Sequence, residues 1–210
     1  MTDDLEEYIE AHISAQPDYL AKIDRLTNLR HVNGRMCSGH LQGRLLKMLV
    51  AMINPSRVLE IGTFTGYSAL CIAEGLEEGA TLDTIEIDDE LEEPILENFN
   101  ASPFSAKIRL HIGDALDVCS KFNEGEFDLV FIDGDKRKYV ECFRSVFPLV
   151  KKGGFIFADN TLWDGHVVEN CRHSSQTAGI IAFNDYVASL PEVETVIIPL
   201  RDGLSIIRKL

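Results

Sequence analysis

The stretch VLEIGTFTGYSAL, from Val58 to Leu70, decides the fold. An apolar run that passes into a helical pattern is typical of a buried strand turning into a helix. Gly62 and Gly66 lie in the turn, where a missing side chain lets the backbone approach a ligand closely. Their GxxxG spacing differs from GxGxxG, and no Lys-Ser or Lys-Thr pair follows. This pattern weakens a dinucleotide-binding interpretation and excludes a P-loop. A tight turn without a ligand explains the glycine spacing equally well.

Apolar strands alternate with helices on both sides of this stretch. The predicted strands are Arg57–Ile61, Thr81–Ile87, Ile108–Ile112, Phe127–Ile132 and Gly154–Ala158. The predicted helices between and after them are Gly66–Leu76, Glu90–Phe99, Ala115–Phe122, Lys136–Val150 and Thr177–Leu190. Such alternation predicts an α/β fold, in which helices cover both faces of a parallel sheet.

Two further β-like runs, Glu194–Pro199 and Gly203–Arg208, flank the turn Arg201-Asp202-Gly203. They predict a β-hairpin, so that the sheet ends with an antiparallel strand. Residues 1–53 have helical periodicity, with helices predicted at Leu5–Ile13, Pro17–Leu29 and Gly39–Ile53. We therefore predict one domain over residues 1–210, made of N-terminal helices (1–53) and a core (56–210).

Composition and charge limit the classes of partner. Twenty Lys and Arg against 34 Asp and Glu give a net charge of −14, which argues against a general nucleic-acid binder. Five scattered cysteines without a CxxC pair are typical of reduced thiols in a cytoplasmic protein. The acidic N-terminus does not resemble a signal peptide, and no uncharged apolar run approaches the ~20 residues that span a bilayer. We expect a cytoplasmic protein without a membrane anchor.

Acidic residues at two strand ends are candidates for nucleoside binding. Glu86, in TIEID, lies at the end of the second predicted strand, where a carboxylate can accept hydrogen bonds from both hydroxyls of a ribose. The alternative for Glu86 is a solvated acid at a strand end. Asp114 follows the third strand and could bind an adenine amino group, cap the next helix, or do both.

A second acidic set follows the fourth and fifth strands. Asp133 ends FDLVFID, and Asp159 and Asn160 end GGFIFADN. Two carboxylates and an amide oxygen on adjacent strand ends make an oxygen-only site suited to Mg²⁺ or Ca²⁺. The alternative is structural: Asp133 caps the helix from Lys136, and Asp159 and Asn160 form an Asx-turn.

Together these segments match a known family. EIGTFTGYS, TIEID, GDA, FIDGDKRKY and ADNTLWDG, in this order, closely resemble the cation-dependent O-methyltransferases, the caffeoyl-CoA and catechol O-methyltransferase-like group. The resemblance covers about residues 36–210. It implies the seven-stranded, mostly parallel, doubly wound sheet of the Rossmann-like class I methyltransferases. It also implies S-adenosylmethionine as cofactor, a divalent cation (Mg²⁺, Ca²⁺ or Mn²⁺) and a homodimer.

The resemblance also implies roles for individual residues. Metal binding falls to Asp133, Asp159 and Asn160, and Lys136 corresponds to the general base, although a solvated lysine at a helix start is the alternative. Met36 lies near the sulfonium and the substrate. Apart from the resemblance, Trp163, the only tryptophan, lies in the loop after Asn160 and could cover the substrate ring; the alternative is a packing residue. The cofactor-binding residues would be Met36, Glu60, Gly62, Thr63, Phe64, Ser68, Glu86, Gly113, Asp114, Ala115 and Asp133. The catalytic pair would be Lys136 and Asp133.

The predicted activity is methyl transfer to a hydroxyl of a small phenolic or diol acceptor, either catechol-like or hydroxycinnamoyl-type. Gly134 stands where the family usually has Ala, and residues 37–40 depart from its usual small, Ser/Pro-rich run, so the substrate mouth is expected to differ.

One alternative is a methyltransferase for a hydroxylated tRNA base, which would need a basic patch formed by Arg30, Arg35, Arg44 and Lys47. A second is a non-catalytic S-adenosylmethionine-binding protein, which need not keep the acidic set and Lys136 together. A nicotinamide dehydrogenase is disfavoured by the missing GxGxxG motif.

Overall fold

Strands and helices alternate along the chain as predicted. The computed structural model describes residues 3–210, without the side chains of residues 3 and 6, so residues 1 and 2 of the predicted N-terminal region lie outside the described residues. The strands in this range are β1 (Arg57–Ile61), β2 (Thr81–Glu86), β3 (Ile108–Ile112), β4 (Phe127–Ile132), β5 (Val150–Ala158), β6 (Val193–Ile198) and β7 (Leu204–Lys209).

The helices include the three expected before the first strand. They are α1 (Asp3–His12), α2 (Asp18–Arg30), α3 (Gly39–Ile53), α4 (Tyr67–Gly75), α5 (Glu92–Asn100), α6 (Ala115–Cys119), α7 (Tyr139–Val146) and α8 (Ser175–Ala188). Across residues 3–210, none of the helices has the length and apolar character needed to span a membrane.

All seven strands described join one sheet in the order β3-β2-β1-β4-β5-β7-β6. The first five are parallel, and β7 is antiparallel to both β5 and β6. The predicted hairpin and its antiparallel strand are therefore confirmed, but the antiparallel strand does not lie at the edge. It lies inside, next to β5, and β6 forms the edge. The strand order reverses between β1 and β4, where ligands of doubly wound sheets bind beyond the carboxyl ends of the strands.

The core has two layers, one on each face of the sheet. Within β1, Val58 points to one layer and the next residue, Leu59, to the other, as the two-residue period of a strand requires. Helices α2 to α5 cover the first face with side chains such as Leu46 and Leu70, and α6 to α8 cover the second with side chains such as Phe183. This double cover explains why the parallel strands are almost continuously apolar.

The segment between β4 and β5 departs from its prediction. The expected helix over 136–150 is a 3₁₀ turn at Lys136–Lys138, then α7, then a second 3₁₀ turn at Phe147–Leu149. Pro148, which has no backbone N–H to donate, lies in that second turn. Strand β5 begins at Val150, four residues earlier than predicted, and its pairing with β4 shifts register between Phe127 and Leu129.

Candidate functional site

A cavity of about 940 Å³ opens at the carboxyl ends of β1, β2, β4 and β5. It brings together most of the residues predicted from sequence. These are Met36, Gly62, Phe64, Glu86, Gly113, Asp114, Ala115, Asp133, Lys136, Asp159, Asn160 and Trp163. The other three, Glu60, Thr63 and Ser68, do not line the cavity but are buried beside its wall.

Glu86 is fixed at one end of the cavity by two backbone groups. Its carboxylate accepts hydrogen bonds from the N–H of Phe64 at 2.7 Å and from the N–H of Asp88 at 3.0 Å. Glu86 is only 7% exposed, so it is not the solvated strand-end acid of the alternative interpretation. Asp88 instead caps the following turn by accepting from the N–H of Glu90. Phe64 itself has a positive φ of 49°.

Glu60 is buried completely, with one of its oxygens unsatisfied. The other oxygen, Oε2, accepts a 2.5 Å hydrogen bond from the Thr84 hydroxyl, which also contacts the hydroxyl of Thr63 at 2.6 Å. Burial raises the pKa of Glu60 to about 8, although the hydrogen bond from Thr84 opposes the shift. A buried carboxylate oxygen without a donor fits a ligand that brings a positively charged N–H group.

The glycine turn brings β1 against the end of β4. Gly62 has φ of +97°, and a Cβ built on it would lie 2.2 Å from the backbone oxygen of Asp133. Glycine is therefore required here for both its backbone conformation and its size. Asp114 caps α6 by accepting from the N–H of Leu116 at 2.8 Å, and it also lines the cavity. Its two predicted roles are thus compatible.

Lys136 lies at the other end of the cavity, against Asp133. Its ammonium donates to Asp133 Oδ1 at 2.6 Å and to the hydroxyl of Tyr139 at 2.8 Å. Lys136 is buried, so the alternative of a solvated lysine is wrong. The predicted capping role of Asp133 is also not observed, because Asp135 caps this turn by accepting from the N–H of Arg137.

Asp159 faces the same end of the cavity from β5. Its Oδ1 accepts from the N–H of Asn160 at 2.8 Å, and its Oδ2 accepts from the amide nitrogen of Gln42 at 2.6 Å. An Asx-turn would need the N–H of Thr161, which instead donates to the carbonyl of Gly203. Burial, followed by the charge of Asp133, raises the pKa of Asp159 to about 6.

The chemistry of this acidic end fits a hard divalent cation. Two carboxylates interact unfavourably in a buried setting, which a positive charge between them would relieve. Among residues 3–210, no three His, Cys, Asp or Glu side chains converge as a metal site. A cation bound here would therefore take Asn160 as its third protein ligand, together with water or acceptor oxygens.

Three residues of the site, Tyr139, Gln42 and Arg201, were not predicted from the sequence. Tyr139 connects two strand ends, because its hydroxyl accepts from Lys136 and donates to the backbone oxygen of Asp159 at 2.9 Å. Its position three residues after Lys136 could have suggested this pairing. The contacts of Gln42 and Arg201 join segments more than 100 residues apart, and no spacing rule would have found them.

The mouth of the cavity is built from unusual backbone. In residues 3–210, six non-glycine residues have positive φ, and five of them line the cavity: Phe64, Asn160, Trp163, Asp164 and Arg201. Such conformations cost about 1–3 kcal/mol each and cluster at functional sites. Arg201 also donates to the backbone oxygens of Arg35, Cys37 and Ser38, so the hairpin turn holds the loop that carries Met36.

A comparison with protein families agrees with this geometry. Residues 10–210 match the family model described as O-methyltransferase. The chain belongs to the O-methyltransferase family. The predicted enzyme class, an S-adenosylmethionine-dependent O-methyltransferase, is confirmed, as is the predicted fold.

Individual relatives support the assignment. Caffeoyl-CoA O-methyltransferase 1 of Arabidopsis thaliana is 30% identical over 100% of this chain and 85% of its own length. Tricin synthase 2 of Oryza sativa subsp. japonica is 31% identical over 89% of this chain and 68% of its own. Among solved structures, a methyltransferase of Podospora anserina bound to SAH (S-adenosylhomocysteine) superposes with a TM-score of 0.90 at 26% identity. The match covers 99% of this chain and 94% of the other.

Proposed function

We propose that this O-methyltransferase transfers a methyl group to a hydroxyl of a small catechol-like acceptor and depends on a divalent cation. The observation that carries the proposal is the convergence of Asp133, Lys136, Asp159 and Asn160 at one end of the cavity that has Glu86 at its other end. A protein that only bound the cofactor would not need the acidic end.

The cofactor end suits S-adenosylmethionine. Glu86 would hold the ribose hydroxyls, and Asp114 and Ala115 would border the adenine. The unsatisfied oxygen of Glu60 would accept from the amino group of the methionine part, with Ser68 nearby. Gly62 lets the backbone approach this ligand. When bound, the cofactor supplies the electrophilic methyl group.

The acidic end would hold Mg²⁺, or Ca²⁺ or Mn²⁺, through Asp133, Asp159 and Asn160. When bound, such a cation lowers the pKa of an acceptor hydroxyl. Asn160 is suited to the role because its amide nitrogen lies 3.4 Å from Asp202 Oδ2, which leaves the amide oxygen available as a ligand.

Lys136 would accept the proton of the acceptor hydroxyl in its neutral form. It lies in a buried position on the cavity wall, and the hydroxyl of Tyr139 holds its nitrogen in place. Most of the rate acceleration would come from holding two reactants in line, which a rigid cavity wall provides. Met36 and Trp163, which both line the cavity, would contact the acceptor ring.

The charges of the wall favour a small uncharged or cationic acceptor over a polyanionic thioester. Seven carboxylates line the cavity against five Lys or Arg side chains. Carboxylates already form ion pairs with Lys136, Arg137 and Lys138. Backbone carbonyls accept hydrogen bonds from Arg201. Four of the five cations are therefore poorly placed to bind the phosphates of a coenzyme A ester.

The arrangement of basic residues does not favour the tRNA alternative. Arg44 is buried and forms an ion pair with Glu74 at 2.6 Å, and Lys47 contacts the same carboxylate at 2.8 Å. Two of the four residues required for the basic patch are therefore neutralised, and a phosphate backbone would gain little from them.

We also propose a homodimer in the cytoplasm. Met48 and Met52 on α3 are 61% and 78% exposed, and Val196 on the edge strand is 55% exposed. A groove between Met52 and Ile206, which pairs with Val196, makes this surface continuous. An apolar surface of this kind is typical of an interface, and a second copy is the partner that the family resemblance implies.

The proposed location in the cytoplasm rests on the cysteines. All five are free thiols, which is consistent with a reducing compartment.

The test is methyl transfer from S-adenosylmethionine to catechols, hydroxycinnamoyl-CoA esters and hydroxylated tRNA, with Mg²⁺ or with a chelator. We expect cation-dependent methylation of the catechols. Asp159→Ala should abolish transfer while S-adenosylmethionine still binds, and Asp128→Ala, an acid at the opposite end of β4, is the control. Methylation at an undiminished rate after removal of the metal would contradict the proposal.

A further inference from the structure

The amide of Gln42 lies between two polar side chains that come from distant parts of the chain. Gln42 is on the first turn of α3 and is 1% exposed. Its Nε2 donates to Asp159 Oδ2 at 2.6 Å, and its Oε1 accepts from Arg201 Nη1 at 3.4 Å. One buried side chain therefore connects an N-terminal helix, the end of β5 and the hairpin turn.

The two neighbours leave the amide a single orientation. A carboxylate can only accept a hydrogen bond, and a guanidinium can only donate one. Rotating the amide by 180° would place its oxygen against Asp159 and its NH₂ against Arg201, so both contacts would become repulsive. Arg201 thus keeps Gln42 as a donor to Asp159.

Donation from Gln42 restricts how the Asp159 carboxylate can turn. Oδ1 is held by the N–H of its neighbour Asn160, and Oδ2 is held by Gln42, so the carboxylate plane is fixed from both sides. Without Gln42, Oδ2 would lose its hydrogen-bond donor in a buried position next to Asp133.

We propose that Gln42 is a positioning residue, which aligns Asp159 for the divalent cation without touching the cation or the acceptor. This inference rests on the proposed function. Hydrogen-bond partners of metal-binding carboxylates commonly change metal affinity about 10- to 100-fold. Packing does not explain the residue, because α3 is anchored by buried apolar side chains such as Leu46 and Val50.

The experiment compares Gln42→Met with Gln16→Met. Both substitutions replace an amide by an apolar side chain of similar length. Both also remove side-chain hydrogen bonding of the N-terminal segment, two contacts at Gln42 and one at Gln16, which accepts from the Tyr67 hydroxyl at 2.8 Å. Gln16 does not line the cavity. The readouts are the dissociation constant of Mn²⁺ by electron paramagnetic resonance, that of SAH (S-adenosylhomocysteine) by calorimetry, and the kcat and KM for a catechol.

We expect Gln42→Met to weaken Mn²⁺ binding by about 10- to 100-fold and to lower kcat/KM for the acceptor, with SAH affinity unchanged. Gln16→Met should bind Mn²⁺ as the wild type does. If Gln42→Met does not fold, Gln42→Asn, whose amide is one methylene shorter, should show the same loss.

Equal Mn²⁺ affinities in wild type and Gln42→Met would contradict the positioning role alone. Equal losses in both variants, or a parallel loss of SAH affinity, would show a general structural effect and would also contradict it. A wild-type enzyme that binds no Mn²⁺ would instead contradict the proposed metal site itself, and this inference with it.

Discussion

The backbone of Gly62 packs directly against the carbonyl of Asp133, and a methyl group on Gly62 would lie 2.2 Å from that oxygen. The two residues directly follow the adjacent parallel strands β1 and β4. Gly62 borders the proposed cofactor end of the cavity, whereas Asp133 belongs to the acidic end. Their contact joins the two parts of the cavity wall.

Gly62→Ala should destabilise the protein and weaken cofactor binding. A positive φ costs a non-glycine residue about 1–3 kcal/mol, and the clash with Asp133 adds to that. The control is Gly79→Ala, because Gly79 also has a positive φ (83°) but has no atom within 4 Å of its added Cβ. Thermal unfolding and SAH calorimetry measure the difference. Equal changes in the two variants would rule out the close contact as the cause.

Glu86→Ala should weaken SAH binding by roughly one to two decades. The loss of a charged acceptor for buried hydroxyls costs about 1.5–3 kcal/mol. Asp88→Ala is the control, because its carboxylate caps a turn by accepting from Glu90 and does not line the cavity. Calorimetric titration decides the case, and an unchanged affinity in Glu86→Ala would remove Glu86 from the cofactor site.

Glu60 should make the cofactor-free protein less stable as the pH rises. Its folded-state pKa of about 8 lies above the ordinary glutamate value of 4.5, so the folded state keeps a proton that the unfolded state releases. The contribution of Glu60 to the free energy of unfolding is therefore fully present below pH 4.5 and is lost between pH 4.5 and 8.

Denaturant titrations of wild type and Glu60→Gln measure this effect. Between pH 5 and pH 7, the free energy of unfolding of the wild type should fall by about 2–3 kcal/mol more than that of Glu60→Gln. If the difference in free energy of unfolding between the two proteins stays constant with pH, Glu60 has no raised pKa.

Lys136→Met should lower kcat by about 10²- to 10⁴-fold, the usual contribution of a general base. SAH affinity should stay the same, because Lys136 belongs to the acidic end of the cavity. Lys121→Met, a change at an exposed lysine, is the control. Single-turnover methylation of a catechol gives the rate, and a variant with nearly full kcat would assign the proton to another acceptor.

The chain should form a dimer through the apolar surface of α3 and the sheet edge. Light scattering should return twice the chain mass of 23.5 kDa. Met52→Lys should yield monomers, whereas Leu29→Lys, at a 70% exposed position on α2, should not. A wild-type monomer at micromolar concentration would contradict the proposal.

Local sequence patterns predicted the fold and most of the cavity, because each pattern shows which strand a given residue follows. The glycine turn, Glu86, Asp133 and Asp159 follow parallel strands, and the carboxyl ends of such strands meet at one edge of the sheet. A hairpin pattern pairs two strands with each other but does not specify which one joins the rest of the sheet. The inner place of β7 was therefore not predictable from that pattern.

Contacts between distant segments could not be predicted either. Gln42 looks like any polar residue near a helix start, and its partner Asp159 lies 117 residues away. Arg201 resembles a turn residue, and its bonds to residues 35–38 depend on how the hairpin is placed against the N-terminal loop. Only the assembled sheet brings these groups together.

The inner position of β7 also has a consequence for the order in which the protein is completed during translation. In residues 3–210, β6 pairs only with β7, although β6 is synthesised first. Strand β6 therefore cannot join the sheet, and Arg201 cannot fasten the loop that carries Met36, until residues 201–209 have left the ribosome. The segments proposed to bind the cofactor are translated well before this. A nascent chain would accordingly assemble its proposed nucleoside-binding half first and close the proposed acceptor mouth last.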